Sequence, residues 1–206
     1  MTSATINSDV TALILAGGRA TRMGGIDKGL VELSGLPLAQ RVLNLLQHQV
    51  GDVLISANRN RDVYAAMGAK TVSDFVENFA GPLAGMAAGI KAAQTKYLFV
   101  CPCDSPFIGN DIVARLHARM LETNAEIVVA HDGQRPQPVF ALMRCSLLAS
   151  MVDFLERGER KIMFWYKQHD LRTADFSDCL ETFDNINTPE DVARAEAQLV
   201  AGANNL

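Results

Sequence analysis

The chain has 206 residues, of which 49% are hydrophobic and 20% charged, with a formal net charge of −4. That composition fits one globular domain able to bury a core, and it leaves no global positive field to hold nucleic acid or an anionic membrane surface. Fifteen glycines and seven prolines without a collagen period exclude fibrous and low-complexity classes.

No apolar run approaches the ~20 residues of a membrane-spanning helix. Met1 to Asp9 has no basic region leading into a hydrophobic stretch, so no secretory signal is read and a cytoplasmic location is expected. The four cysteines are too scattered for the disulfide framework of a small secreted domain. Cys101-Pro-Cys103 has no second ligand pair to complete a zinc site, which favours packing at a strand end over metal or redox work.

In chain order, Ala12 to Ala16 (ALILA) reads as a buried strand entering a glycine-rich loop. Leu38, Val42, Leu45 and Leu46 predict a helix over Pro37 to Val50, with Pro37 in its first turn. Asp52 to Ser56 reads as a strand, Arg61 to Met67 as a short helix and Lys70 to Ser73 as a strand. Gly81-Pro82 opens a small-residue helix to about Ala93, and Lys96 to Pro102 is the next buried strand. Asn110 to Leu121 is helical, Glu126 to Ala130 a strand, and Pro138 to Met143 a second strand reached without a helix, so this pair is expected to be antiparallel. Ser146 to Glu156 and Lys161 to Gln168 are helical candidates. Thr188-Pro189-Glu190-Asp191 supplies a capping Thr, a proline at the first helical position and an acidic residue three after the cap, starting a helix to about Leu199. Such alternation predicts an α/β fold: a mostly parallel twisted sheet, covered on both faces, with a local antiparallel strand. Ligands of such sheets sit at the carboxyl ends of the strands, here the loops after Ala16, Ser56, Ser73 and Pro102.

Those loops hold the unusual residues. Positions 17–28 contain Gly17, Gly18, Gly24, Gly25, Arg19, Arg22 and Lys28, a density of glycine and positive charge suited to holding phosphates. Asp27 before Lys28 and Gly29 after it break the P-loop pattern, and the glycine spacing is not that of a dinucleotide fold. Asp104 ends a buried strand and is a candidate Mg²⁺ ligand; a helix cap in Asp-Ser-Pro is the other reading. Asp74 ends a strand where a carboxylate would match the paired N–H donors of guanine, with Asn58 near the same crevice; a turn role is the alternative. Asn185 and Asn187 share one face of an extended segment. Gly81 and Gly85 lie at a helix start open to a ligand. The four histidines are dispersed and form no convincing triad. A phosphate nucleophile, anionic at neutral pH, needs none.

Leu15-Ala16-Gly17-Gly18, Arg22-Met23-Gly24, Asp27-Lys28-Gly29, Gly35-x-Pro37-Leu38, Gly81-Pro82-Leu83-Ala84-Gly85, Pro102-Cys103-Asp104-Ser105-Pro106 and Asn185-x-Asn187-Thr188-Pro189-Glu190 together resemble the molybdenum cofactor guanylyltransferases. The first block alone is similar to the wider nucleotidyltransferase superfamily; the later blocks narrow it. The resemblance covers about Leu13 to Leu199 and implies a three-layer Rossmann-like nucleotidyltransferase domain, with a nucleotide-binding half over about 10–108 and a pterin-binding half over about 109–200. It implies transfer of GMP from Mg²⁺·GTP to molybdenum-molybdopterin with release of pyrophosphate. Carried onto this chain, Leu15, Ala16, Gly17, Gly18, Lys28, Ser56, Asn58, Asp74 and Asp104 would serve the nucleotide, Arg22, Lys28 and Asp104 catalysis, and Asp104 the metal. Gly25, Gly81, Gly85, Arg160 or Lys161, Asn185 and Asn187 would face the pterin. The family often has Asn where Ser56 stands, with Asn58 two residues on. Expected partners are other molybdenum cofactor biosynthesis proteins and recipient molybdoenzymes, with the chain a monomer or weak oligomer. Readings kept beside this one are a cytidylyltransferase, a sugar-nucleotide pyrophosphorylase and a non-catalytic nucleotide-binding module.

Overall fold

A computed structural model describes residues 6–16, 27–75 and 81–203. The apolar runs of the sequence form its central strands: β1 (Asn7–Leu15), β4 (Val50–Ser56), β6 (Tyr97–Pro102), β7 (Ile127–His131) and β8 (Pro136–Arg144). With the short β5 (Lys70–Val72) and β9 (Leu171–Asp175) they make a seven-stranded sheet of order β5-β4-β1-β6-β8-β7-β9. β8 runs antiparallel to both β6 and β7, as the missing crossover helix predicts, and every other pairing in this sheet is parallel. The parallel strands therefore end at one common edge.

Because side chains alternate across a strand, each face has its own apolar layer. Ala12, Ile14, Val53, Ile55, Phe99 and Leu142 lie under α1 (Leu38–Leu46) and α4 (Ile112–Thr123), which contribute Val42, Leu46, Ile112 and Leu116. Leu13, Leu54, Leu98, Val100, Val129 and Met143 lie under α3 (Pro82–Ala92), α5 (Leu148–Glu156) and α6 (Ile162–Tyr166), which contribute Met86, Phe154, Trp165 and Tyr166. Each buried Val, Leu, Ile, Phe or Met side chain among these contributes about 1.5–3 kcal/mol before entropy is counted. Sheet and helices make three layers. Cys101 and Cys103 are buried, free thiols whose ionisation is suppressed by burial, which agrees with a packing role.

Two elements were not read in the sequence. β2 (Glu32–Leu33) and β3 (Leu36–Pro37) form a two-residue hairpin, turned by Ser34 and Gly35 at φ 51° and 75°, the left-handed pair that suits a tight hairpin. Pro37 consequently ends β3 and caps α1 rather than opening its first turn. β9 is the other; of its five residues only Ala174 is buried. α7 (Pro189–Ala203) packs across the hairpin, where Leu33, Leu38, Ile186 and Ala195 form a small third apolar cluster. α2 (Arg61–Ala66) sits between β4 and β5 in the chain.

Candidate functional site

At the carboxyl edge the strand ladders run on for one more residue. Ala16 N–H donates to Ser56 O at 2.9 Å, Ala57 N–H to Val72 O at 2.9 Å and Cys103 N–H to Leu15 O at 3.2 Å. The chain thus leaves β1, β4, β5 and β6 in step, which sets Ala16, Ala57, Ser73 and Cys103 side by side.

Asp104, two residues beyond β6, takes no part in helix capping, since α4 begins only at Ile112. Its Oδ2 accepts from Lys28 Nζ at 3.1 Å, with the two side chains 12% and 29% exposed. The same ammonium donates to Asn187 Oδ1 at 2.5 Å. Ser105, fully buried, donates to Asn185 Oδ1 at 2.5 Å. Ile186 between the two asparagines is buried in the α7 cluster and donates its N–H to Asp104 O at 2.8 Å. Period-two spacing thus sends both amides to the Asp104 segment while Ile186 anchors them from the other side.

A second pair lies at the end of β4 and β5. Asn58 Nδ2 donates to Asp74 Oδ2 at 2.8 Å, and Asp74 N–H donates to Asn58 Oδ1 at 3.0 Å. This reciprocal lock holds a carboxylate that is half-buried; burial raises its pKa and the Asn58 hydrogen bond opposes the rise. Ser56 is buried at the end of β4. Gly85 faces it closely: a Cβ on Gly85 would stand 2.7 Å from Ser56 Oγ and 3.0 Å from Leu15 Cδ2. What Gly85 does in the structure is admit α3 against the strand ends. Gly81, just before α3, has φ 141°, a conformation glycine supplies without strain.

Arg160 and Lys161 lie between α5 and α6. Because β8 is reversed, α5 runs back toward the carboxyl edge, and its end comes to the same face and edge as the start of α3. Arg160 Nη1 donates to the carbonyls of Leu155 and Glu159 at 3.0 and 2.7 Å, closing the end of α5. Lys161 is exposed, its ammonium 4.9 Å from the centre of the Phe164 ring. Gly17, Gly18, Arg22 and Gly25 lie outside the described residues.

The donor chemistry suits a hard divalent cation. The Asp104 carboxylate and the Asn187 amide oxygen already converge on a cation, the Lys28 ammonium. Among the described residues no three His, Cys, Asp or Glu side chains gather, so Mg²⁺ at Asp104 would draw its remaining ligands from substrate phosphates and water, its usual habit.

Sequence reasoning passed over three residues. Ser105 seats Asn185; Tyr64 and Asn60 grip Asp27, the residue before Lys28. Asp-Ser-Pro and Asp-Lys were visible signals, but the phenol of Tyr64 reads as core. Elsewhere Trp165 Nε1–H donates to Ser150 Oγ at 3.1 Å, and Ser150 Oγ lies 3.0 Å from His169 Nε2, with Glu126 beyond. These residues stand at the starts of α5, β7 and β9, the opposite edge of the sheet from Asp104, and tie those elements together. A broad depression lined by Arg115, Arg119 and Thr173 lies beyond β9, with Arg115 bound to Asp178 and Arg119 to Glu122.

Residues 12–172 match the family described as the MobA-like NTP transferase domain. The chain belongs to this family. A molybdenum cofactor guanylyltransferase of Shewanella halifaxensis is 48% identical over 185 residues, covering 90% of this chain and 92% of that one. Its counterpart in Shewanella piezotolerans is 46% identical over 197 residues, covering 96% and 97%. The fold is shared with the molybdopterin-guanine dinucleotide biosynthesis protein A of Archaeoglobus fulgidus, with a TM-score of 0.78 at 21% identity over 93% and 99% of the two chains. It is shared too with a 4-diphosphocytidyl-2C-methyl-D-erythritol synthase of Anaerococcus prevotii, at TM-score 0.73 and 12% identity over 94% and 96%. As a MobA-like member the chain is a nucleotidyltransferase of molybdenum cofactor biosynthesis, and its fold is that of the nucleotidyltransferases. No described helix is long and apolar enough to cross a membrane.

Proposed function

We propose that the chain transfers GMP from Mg²⁺·GTP to the terminal phosphate of molybdenum-molybdopterin, releasing pyrophosphate and forming the guanine dinucleotide cofactor. The observation that carries this reading is the meeting of Lys28, Asp104 and Asn187 at the carboxyl edge; the identity to the Shewanella guanylyltransferases supports it. A terminal phosphate oxygen of the pterin attacks the α-phosphorus of GTP while the bond from that phosphorus to the bridging oxygen breaks, and the electron pair leaves with pyrophosphate. The nucleophile is already anionic, so the protein aligns and neutralises rather than removing a proton. In this reading Lys28 and Arg22 meet the phosphates, and Leu15, Ala16, Gly17 and Gly18 bring backbone N–H groups to the nucleotide. Asp104 would hold Mg²⁺, which when bound neutralises triphosphate oxygens and polarises the α-phosphate. Asp74, held by Asn58 beside Ser56, would read guanine. Gly25, Gly81, Gly85, Arg160, Lys161, Asn185 and Asn187 would form the pterin side; in this reading a nucleotide half over about 10–108 and a pterin half over about 109–200 would meet at the hydrogen bond from Lys28 to Asn187. A cytoplasmic setting, with handover to other cofactor biosynthesis proteins and recipient molybdoenzymes, fits four free cysteines.

The test is pyrophosphate release by the purified protein with Mg²⁺, molybdenum-loaded molybdopterin and GTP, repeated with CTP or ATP and with the pterin omitted. Release that needs both GTP and the pterin is expected. Release with CTP alone would overturn the role of Asp74, and none with any nucleotide would overturn the transfer reaction.

A further inference from the structure

The residue before Lys28 is held by the core. Asp27 caps the 3-10 turn Lys28–Leu30, accepting Gly29 N–H at 3.2 Å. Both oxygens of its carboxylate are gripped from the start of α2: Tyr64 Oη–H donates to Oδ1 at 2.5 Å and Asn60 Nδ2–H to Oδ2 at 3.0 Å. Tyr64 is fully buried among the apolar residues beneath α1. Burial first, and then its hydrogen bond to Asp27, drive the phenol pKa far above the ordinary tyrosine value, so the hydroxyl is a permanent donor. Gly29 completes the fit, since a Cβ there would run into the Tyr64 hydroxyl and ring. The turn that presents Lys28 therefore rests directly on the phenol.

Phenylalanine would fill the same space as Tyr64. What the hydroxyl adds is a charge-assisted hydrogen bond to Asp27, stronger than a neutral one and directional. We propose that Tyr64, assisted by Asn60, is a positioning residue for Lys28: it fixes Asp27, Asp27 fixes the turn, and the turn sets the ammonium at the Asp104 and Asn187 oxygens, where it awaits the triphosphate. The inference rests on the reading above in which Lys28 meets nucleotide phosphates. A merely structural role for Tyr64 predicts something different, a lower melting temperature with unchanged nucleotide affinity wherever the protein is folded.

The experiment compares wild type, Tyr64→Phe, Asn60→Gly, Lys28→Met and the double variant Tyr64→Phe/Lys28→Met in the full chain. Asn60→Gly removes the amide while keeping the left-handed backbone that Asn60 adopts at φ 50°. Melting temperature, calorimetric affinity for Mg²⁺·GTP, and kcat and KM for pyrophosphate release are measured below the melting transition. Tyr64→Phe and Asn60→Gly are each expected to weaken Mg²⁺·GTP binding by about fivefold and to lower kcat, the size that partial loss of one hydrogen bond to a charged group transmits. In the Lys28→Met background Tyr64→Phe is expected to change affinity no further, because the group it positions is gone. Wild-type affinity and kcat in Tyr64→Phe, however far its melting temperature falls, would overturn the inference, as would an undiminished loss in the Lys28→Met background. If Tyr64→Phe does not fold, Asn60→Gly, at an exposed position, carries the same two outcomes. Wild type that binds Mg²⁺·GTP but transfers nothing to the pterin overturns the proposed reaction and leaves the positioning result standing; wild type that binds no nucleoside triphosphate overturns both.

Discussion

Burial pushes the carboxyl of Asp74 above its ordinary value of 3.8, and the hydrogen bond from Asn58 offsets only part of the rise. The fold therefore favours the protonated form. The native state holds more protons than the unfolded chain over that interval, so stability falls as pH rises from 3.8 through the raised value, and the full cost is reached above it. Asp74→Asn removes the charge while leaving an oxygen for Asn58. It is expected to raise the melting temperature at pH 7, with the advantage fading as pH drops toward 3.8. Melting curves of the two proteins across this range check the sign; a lower melting temperature at pH 7 would mean that the Asn58 bond outweighs desolvation. A charge held at a cost to stability points to another reason for its presence. If that reason is guanine, the same variant loses the preference for GTP over ATP by at least about tenfold, because the amide presents one acceptor where the carboxylate presents two.

At the scale of elements, α7 is tied to the site by its own cap. Asp191 Oδ2 accepts the N–H groups of Thr188 at 3.0 Å and Asn187 at 2.9 Å, and Asp191 N–H donates to Thr188 Oγ1 at 3.2 Å. This reciprocal cap is the one the Thr-Pro-Glu-Asp sequence predicts. Its hydrogen bonds, that from Asn187 first, hold the Asp191 carboxyl below 3.8. The cap's contribution is thus present above 3.8 and lost as pH falls through the depressed value. Asp191→Ala is expected to lower stability by about 1–2 kcal/mol, seen as a reduced urea midpoint at unchanged slope; an unmoved midpoint would show that the cap contributes nothing. The central strands were legible for the same reason that the cap was: ALILA and KYLFVCP are continuous apolar runs, as strands buried on both faces must be. β9, LRTAD, was not, because an edge strand that buries one residue carries little alternation. The β2–β3 hairpin is too short to show any period. In the site, Lys28 and Asp104 were legible as chemistry-bearing residues at strand ends. The grip of Tyr64 on Asp27 was not, for it joins residues 37 apart in sequence and a buried tyrosine looks like packing.

Over the whole molecule, the cluster at Asp104 draws on three remote segments: Lys28 after β1, Asp104 after β6 and Asn187 at the entry to α7, separated by 76 residues from Lys28 to Asp104 and 159 from Lys28 to Asn187. Such a site exists only when the hairpin, the sheet edge and α7 are docked together, so ligand binding and folding must be linked. The chain's net charge of −4 also means that a triphosphate is attracted by local cations, not by the protein as a whole. Saturating Mg²⁺·GTP at a hundred times its dissociation constant should add about 2.7 kcal/mol of stability, a rise in melting temperature of roughly 5–10 °C for a chain of this size. GTP without Mg²⁺ should give less, because Asp104 then faces the triphosphate with no cation other than Lys28 between them. In Lys28→Met the shift should fall by several degrees, and raising the salt concentration should shrink the wild-type shift further, since the attraction is local and partly exposed. A shift in Lys28→Met equal to that of wild type would mean that the triphosphate binds away from the Lys28–Asp104–Asn187 cluster.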